Sequence, residues 1–305
     1  MYNRRKFLQN SGALALGGMA LTGTAKAFFG EKAMHPVGIQ LFTFFSDIDN
    51  DVEGTLKKVA GVGYKEIESA FSKKGGYYGM KPKEFAAFSN NLGLSWKSHH
   101  VLGAPFKMPA GAKMPTDAEG KPMVIPPMRN LQDNMQELVD EAAEGGVEFL
   151  VCASTPITTS EEIKSSIEVL NKTDEACKKA GIGFAYHNHD AEFHTVEGQV
   201  PYEVFLSQTK MKMELDLAWA TKGGKDPVEL FKQHPGRFPL WHVKDLDATK
   251  EKILPVGAGT IDYKRIFAAA STAGMKHFYI EHDFPADAMA SITASYEYLT
   301  KKLGV

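Results

Sequence analysis

The chain has 305 residues, 43% hydrophobic and 24% charged, with 28 Gly and 15 Pro, a composition that excludes collagen-like, coiled-coil and wholly disordered chains. Its 35 Lys and Arg against 37 Asp and Glu give a formal net charge of -2, so no basic excess points to a phosphate backbone and no nucleic-acid partner is expected. Two cysteines, Cys152 and Cys177, without a CxxC spacing, exclude a disulfide framework and a thiolate zinc site and are read as buried free thiols.

Residues 1–27 read as an export signal. Asn3-Arg4-Arg5-Lys6-Phe7-Leu8 precedes a weakly apolar run from Gly12 to Thr24 that is too short and Gly-rich to span a membrane, and Ala25 and Ala27 suit an A-x-A cleavage site after Ala27. The paired arginines followed by Phe7 and Leu8 resemble a twin-arginine signal, with a general secretory signal as the alternative. All four charges before residue 28 are positive, so cleavage leaves a chain of net charge -6 that is expected to be periplasmic or otherwise extracytoplasmic, with no membrane anchor.

In the mature chain, 28–305, short β-rich runs alternate with amphipathic stretches, the pattern of βα units around a parallel sheet. Strands are predicted over Val37–Phe42, Tyr64–Ser69, Leu94–His100, Val147–Ala153, Gly183–His187, Lys212–Asp216, Pro239–Val243 and His277–Glu281. Helices are predicted near 51–60, 82–91, 130–144, 160–180, 201–208, 227–233, 261–272 and 286–302. Asp51, Ser160 and Asp226-Pro227 are read as helix starts, and Gly61, Gly93, Gly145, Gly181 and Gly274 as stops. Eight such pairs predict a single-domain α/β fold, a closed (β/α)8 TIM barrel, because closure removes the edges an open sheet would leave. An open doubly wound sheet is the alternative; no GxGxxG follows the first strand to support it. The long irregular segment 102–128 is expected to be a lid or binding loop over the mouth. Its Met108, Met114, Met123 and Met128 are too irregularly spaced, with no His or Cys between them, to suggest copper.

Barrel active sites form at the C-terminal ends of strands, and here those ends are polar. Glu66-Ile67-Glu68, His99-His100, Tyr186-His187-Asn188-His189-Asp190, Glu214-Leu215-Asp216, Trp241-His242-Val243-Lys244-Asp245 and Tyr279-Ile280-Glu281-His282-Asp283 close six of them. Alternation puts Glu214 with Asp216, His187 with His189, His242 with Lys244 and Glu281 with Asp283 on common faces. His187, Asp216, His242 and Glu281 are expected to hold a divalent metal, Mn²⁺ first, with Zn²⁺, Co²⁺, Fe²⁺ or Mg²⁺ as alternatives; His189 could replace His187 as the strand-five ligand.

These motifs, with Gly257-Ala258-Gly259-Thr260-Ile261-Asp262, resemble the sugar phosphate isomerase/epimerase superfamily, the xylose isomerase-like barrels, over about residues 35–303. The resemblance implies a divalent metal held from strands five to eight and completed by substrate oxygens. One departure stands out: epimerases of the superfamily place glutamate at the strand-five position, where this chain has His187. A two-carboxylate epimerase is therefore less expected, and the His-Asn-His form resembles a branch with exported proteins and relatives implicated in cleaving 3-keto-glycosides.

The expected chemistry is Lewis-acid activation of a sugar carbonyl and proton transfer through an enediolate. Glu281 or His189 would be the base, Lys244 and His100 would donate to oxygen, and Glu68, Trp219 and Asn188 would bind substrate. Returning the proton gives isomerisation or epimerisation; losing a β-oxygen substituent gives elimination from a 3-keto-glycoside. Export and the absence of a basic cluster favour an unphosphorylated sugar or glycoside, and Gly257–Gly259 reads as a turn before an Asp262-capped helix rather than a phosphate loop. A non-catalytic exported sugar-binding protein is the alternative of another class. The oligomeric state is left open, a homo-oligomer included.

Overall fold

A computed structural model describes residues 35–45, 47–106 and 128–305; the expected signal peptide and most of segment 102–128 lie outside the described residues. β1 (Gly38–Gln40), β2 (Glu66–Ser69), β3 (Ser95–Leu102), β4 (Phe149–Ser154), β5 (Gly183–His187), β6 (Lys212–Asp216) and β7 (Leu240–Val243) are followed by β8 (Asp245–Leu246), β9 (Ile253–Leu254) and β10 (His277–Ile280). Eight of them close a parallel barrel in the order β1-β10-β7-β6-β5-β4-β3-β2, while β8 and β9 form an antiparallel ribbon beside it. The fold is the expected (β/α)8 TIM barrel.

Period-two alternation sorts the strand side chains. Ile39, Ile67, Leu150, Phe184, Leu215, Trp241, Val243, Phe278 and Ile280 are buried in the main core shared with the helices. Phe149, Val151, Ala185, Leu240 and Tyr279 form a separate cluster from the opposite strand faces, which is the packed interior of the barrel. Gly38 makes room for it: a Cβ there would lie 2.6 Å from both the Tyr279 ring and the Phe278 carbonyl oxygen.

The helices are α1 (Val52–Val62), α2 (Pro82–Asn91), α3 (Leu131–Gly145), α4 (Ser160–Ala180), α5 (Pro201–Gln208), α6 (Leu217–Lys222), α7 (Pro227–Gln233), α8 (Tyr263–Ala268), α9 (Ala270–Ala273) and α10 (Ala288–Glu297). Asp51 and Asp226 cap α1 and α7 through Gly54 N at 2.8 Å and Val228 N at 2.9 Å. The cap of α4 is Thr159, not Ser160: Thr159 Oγ1 accepts from Glu162 N at 3.1 Å. Helix α1 runs past Gly61 and stops at Gly63, and α3 includes Gly145 and stops at Gly146. Gly181 and Gly274 end α4 and α9 with φ of 80° and 75°.

Besides the unpredicted β8–β9 ribbon and the split of the helix expected over 261–272 into α8 and α9, three further elements depart from the sequence expectation. The first strand ends at Gln40, because its side chain accepts from Phe42 N at 3.0 Å and turns Leu41–Phe44 into a 3-10 helix. Asp216 both ends β6 and caps the short helix α6, accepting from Trp219 N at 2.8 Å. The final helical stretch changes at Glu297 into a π-helix over Tyr298–Leu303. Cys152 and Cys177 are free and buried, as expected, and burial pushes the Cys177 thiol up to about 12. Among the described residues no helix is long and apolar enough to cross a membrane.

Candidate active site

At the C-terminal strand ends the inward positions turn from apolar to polar. Glu68, Glu214, Asp216, His242 and Glu281 are buried there with His187, and His100 is nearly so. His242 stands between two groups. Its Nδ1 lies 2.7 Å from Glu281 Oε2 and 4.0 Å from Asp216 Oδ2, whereas its Nε2 lies 2.6 Å from Glu68 Oε1 and 3.2 Å from Glu214 Oε2. On the Nε2 side, Glu214 Oε2 also meets His100 Nε2 at 2.6 Å and His187 Nδ1 at 3.2 Å. On the Nδ1 side, Lys244 Nζ reaches Glu281 Oε2 and Asp283 Oδ2, each at 2.8 Å, and Asp216 Oδ2 at 3.1 Å.

The four residues assigned to the metal from sequence therefore do not form one cluster. Among the described residues, ligand atoms within 4.8 Å of one another form two sets, His100, His187, Glu214 and His242, and Asp216, His242 and Glu281. Glu214 is the residue that sequence reasoning left unused. Its signal was present: it sits two positions before Asp216 on the same strand and so faces the same interior.

The remaining candidates are placed differently. Glu68 is fully buried, accepts from Gln40 Nε2 at 2.7 Å and lies 3.1 Å from His100 Nε2 and 2.6 Å from His242 Nε2. Asn188 is also fully buried: its Oδ1 accepts from Asp216 N at 3.1 Å, tying the ends of β5 and β6 together. His189 is 44% exposed, its ring 5.0 Å from that of His187 and 6.1 Å from that of Trp219. Lys244 Nζ lies 5.5 Å from the centre of the Trp219 ring. His99 points outward, bonding Ser69 Oγ at 2.8 Å and packing on Tyr77.

Electrostatics follow from this burial. Desolvation opposes ionisation of Glu281, yet Lys244 and His242 hold its carboxyl well below the usual range. Burial and the neighbouring Glu68 push Glu214 up to about 7. Burial opposes protonation of His100 and His242, but the surrounding carboxylates reverse this, raising His100 to about 9 and His242 well above its ordinary value. His187, buried and facing other imidazoles, is lowered. Buried atoms without a hydrogen bond include Glu68 Oε2, His187 Nδ1, Glu214 Oε1 and Asp216 Oδ2; of these, His187 Nδ1 faces Glu214 and Asp216 Oδ2 faces Lys244 as ion pairs. Buried donor atoms of this kind need a partner, and imidazole with carboxylate is a ligand chemistry for divalent transition metals, so the residues fit such an ion.

The Gly257–Gly259 loop is organised from within the protein. Asp245 Oδ2 accepts from Gly257 N at 2.9 Å and Gly259 N at 3.0 Å, and its Oδ1 accepts from Ile261 N at 3.1 Å. A Cβ on Gly259 would meet Asp245 Oδ1 and the Leu246 carbonyl, each at 2.3 Å, which explains the glycine.

A closed TIM barrel with buried imidazoles and carboxylates at its C-terminal mouth defines a metal-competent barrel. Residues 56–302 match the family of xylose isomerase-like TIM barrels, and the chain belongs to that family. A sugar phosphate isomerase/epimerase from Parabacteroides distasonis ATCC 8503 is 26% identical and superposes with a TM-score of 0.71, covering 90% of this chain and 97% of its own. The IolI protein, whose structure carries a bound zinc atom, is 17% identical with a TM-score of 0.64, covering 88% of this chain and 98% of its own. An inosose dehydratase from Geobacillus thermodenitrificans (strain NG80-2) is 24% identical over 176 residues, 52% of this chain; the chain thus spans 58% of that curated relative.

Proposed function

We propose that the chain is a divalent-metal-dependent enzyme of the isomerase and epimerase type, moving a proton at the carbon beside the carbonyl of an unphosphorylated sugar or sugar derivative. The observation that carries this reading is the position of His242, flanked by buried ligand donors on both ring nitrogens with the Lys244 ammonium beside them. The ion would be held by His242 with donors from one of its two flanks. When bound, a divalent ion supplies Lewis acidity at the carbonyl oxygen, worth several kcal/mol of charge stabilisation.

The protein's own groups provide the rest. Lys244 is buried and cationic, so it can stabilise negative charge that develops on the substrate oxygen as the adjacent C–H bond breaks. Glu281, held ionised by Lys244 and His242, is a weak base. His189, half-exposed beside His187 and Trp219, can reach substrate from the mouth and is assigned as the base. The Trp219 ring offers a flat face for the sugar.

An unphosphorylated substrate is supported by the Gly257–Gly259 loop, whose amides already bind Asp245 and so are not free for a phosphate. The twin-arginine reading of residues 1–27 supports the same choice, with a mature enzyme that is periplasmic or otherwise extracytoplasmic.

A second reading is a lyase that eliminates a β-oxygen substituent from a 3-keto-glycoside; the match to a dehydratase and the replacement of the strand-five glutamate by His187 favour it. The test common to both is exchange of solvent deuterium into a ketosugar or keto-glycoside by the metal-loaded protein. Absence of exchange at any carbon beside the carbonyl, across both substrate types, overturns the proposal in favour of a binding protein.

A further inference from the structure

The mouth of the barrel carries a cluster of phenylalanines that the proposed chemistry leaves unused. Phe42, in the 3-10 turn after β1, and Phe284, after β10, bring their ring centres to 5.4 Å, and Phe45 lies 5.1 Å from Phe42 and 6.2 Å from Phe284. Phe284 stands at 75° and 88° to the two rings, so it is stacked on neither and stays 68% exposed. Its backbone is in the left-handed region, with φ at 50°, where a bulky side chain is strained. An apolar ring held out in water by a strained backbone marks a binding surface.

The rings are tied to the buried polar cluster through their neighbours in the chain. Asp283, the residue before Phe284, lies 2.8 Å from Lys244 Nζ. Phe42 N donates to Gln40 Oε1, and Gln40 Nε2 donates to Glu68 at 2.7 Å. Thr43 Oγ1 accepts from His282 N at 3.1 Å and joins the two segments. In the barrel order β1 stands opposite β5, so Phe42 and His189, each two residues past its strand, lie across the mouth from one another.

A cleft of about 300 Å³ adjoins the rings, lined by Phe42, Phe45, Phe284 and Met289 and edged by Asp47 and Lys58. Those two charges are of opposite sign, so the cleft selects no ion. Its volume suits one small ring-bearing group. A stable contact with a second copy of the chain needs about 800 Å² on each partner. The exposed large hydrophobic side chains of the described residues are Phe106 and Phe284, too few to cover that area.

We infer that Phe42, Phe45 and Phe284 form a subsite for an uncharged, apolar substituent of the sugar, so that the substrate is a glycoside with a ring-bearing aglycone instead of a free monosaccharide. This deepens the proposed function and rests on its reading of the mouth as a sugar site. With the sugar at the polar cluster, the aglycone extends over the β1 and β10 side of the mouth, where Phe284 offers it an unstacked ring.

The experiment is NMR titration of the wild-type protein with 2-phenylethyl and ethyl β-D-glucopyranosides, which lack the ketone that the reaction needs. The 2-phenylethyl glucoside should bind roughly tenfold tighter or more, with saturation transfer strongest at its phenyl protons. Phe284→Ala, at an exposed position, should bring the ratio below about threefold, and Phe284→Tyr, which keeps the ring, should preserve it. Equal affinities, no detectable binding of either glucoside, or an advantage that survives Phe284→Ala overturns the subsite. A dimer in sedimentation that Phe284→Ala dissociates gives the rings to a second copy and overturns it as well. Failure of the proposed function is seen separately, in deuterium exchange on ketone-bearing substrates, which these probes do not enter.

Discussion

Lys244 holds its ammonium 2.8 Å from the Glu281 carboxylate, inside a barrel where both side chains are buried. The pair also gathers Asp216 and Asp283, so one cation offsets three carboxylates at the ends of β6 and β10. Removing one partner of a buried ion pair strands the others without compensation. Lys244→Met is expected to destabilise the fold by about 3 kcal/mol, read by urea unfolding. In the fraction that remains folded, the rate of carbon-bound proton exchange should fall by about 10²-fold, the usual effect of losing one donor to a developing oxyanion. An exchange rate equal to that of wild type would remove Lys244 from the chemistry.

Asp245 does different work one residue further on. Its two carboxylate oxygens accept from Leu246, Gly257, Gly259 and Ile261 and so hold the β8–β9 ribbon and the following loop in place. Asp245→Ala should cost about 3 kcal/mol in urea unfolding, because several amides lose a charged acceptor at once. Because those amides are taken, inorganic phosphate at millimolar concentration should not inhibit the wild-type enzyme. Competitive inhibition by phosphate would show that this loop opens and would undo the argument for an unphosphorylated substrate.

The opposite end of the barrel gives a pH-dependent prediction. His277 bonds Glu66 Oε2 through Nδ1 at 2.8 Å and Glu148 Oε2 through Nε2 at 3.2 Å. Burial opposes its protonation, but Glu66 and Glu148 outweigh that and raise its pKa above the ordinary 6.5. Protonation therefore favours the folded state: the contribution is complete below about pH 6.5 and is lost as pH rises through the higher folded value. His277→Gln should lower the unfolding free energy by about 1 kcal/mol at pH 6 and by less at pH 9, since Glu148 is partly solvated and screened. A loss that grows with pH would contradict the linkage.

How far these features could be seen in the sequence depends on what each residue is asked to do. β5 and β6 match their expected bounds because a run of alternating apolar residues ends in His187 and Asp216 at the place where pairing also ends. β1 does not, because Leu41 and Phe42 look like strand residues and only the Gln40 side chain, bonded back to Phe42 N, turns them out of the sheet. Helix α6 was hidden by the double duty of Asp216, which reads as the end of a strand and is also a cap. At the site, the polar strand ends and their facing were legible, as was the part played by His242. The two-sided environment of its ring was not, because it arises from β2, β3 and β6 meeting across the barrel: alternation shows which way Glu214 and Glu68 face but not which imidazole each meets.

The proposed twin-arginine export is tested by the side-chain identity at Arg4 and Arg5. Replacing both with Lys preserves the positive charge but removes the twin-arginine feature, so precursor should accumulate in the cytoplasm in a fractionation experiment. Unchanged periplasmic accumulation would assign the general secretory route to this chain.

The reaction class turns on His187, which occupies the position where the resembling epimerases place glutamate. An imidazole that ligates a metal has no second lone pair to act as an anionic base. Proton exchange from both faces of a substrate carbon, which epimerisation of a free ketose needs, is then left without one of its two carboxylates. Glu281 does not replace it, since Lys244 and His242 hold it ionised and weakly basic. His189 is the base assigned at the mouth, and one base suffices for removing a proton and expelling a β-oxygen substituent. Deuterium should therefore enter a keto-glycoside at a single carbon beside the carbonyl, elimination from a 3-keto-glycoside should outpace free hexose epimerisation by roughly tenfold or more, and His189→Gln should slow both by about 10²-fold. Steady-state rates on the two substrate types decide the matter: rapid reversible epimerisation of free ketoses without glycoside cleavage would mean that a second base is present on the far face and that His187 does not limit the chemistry.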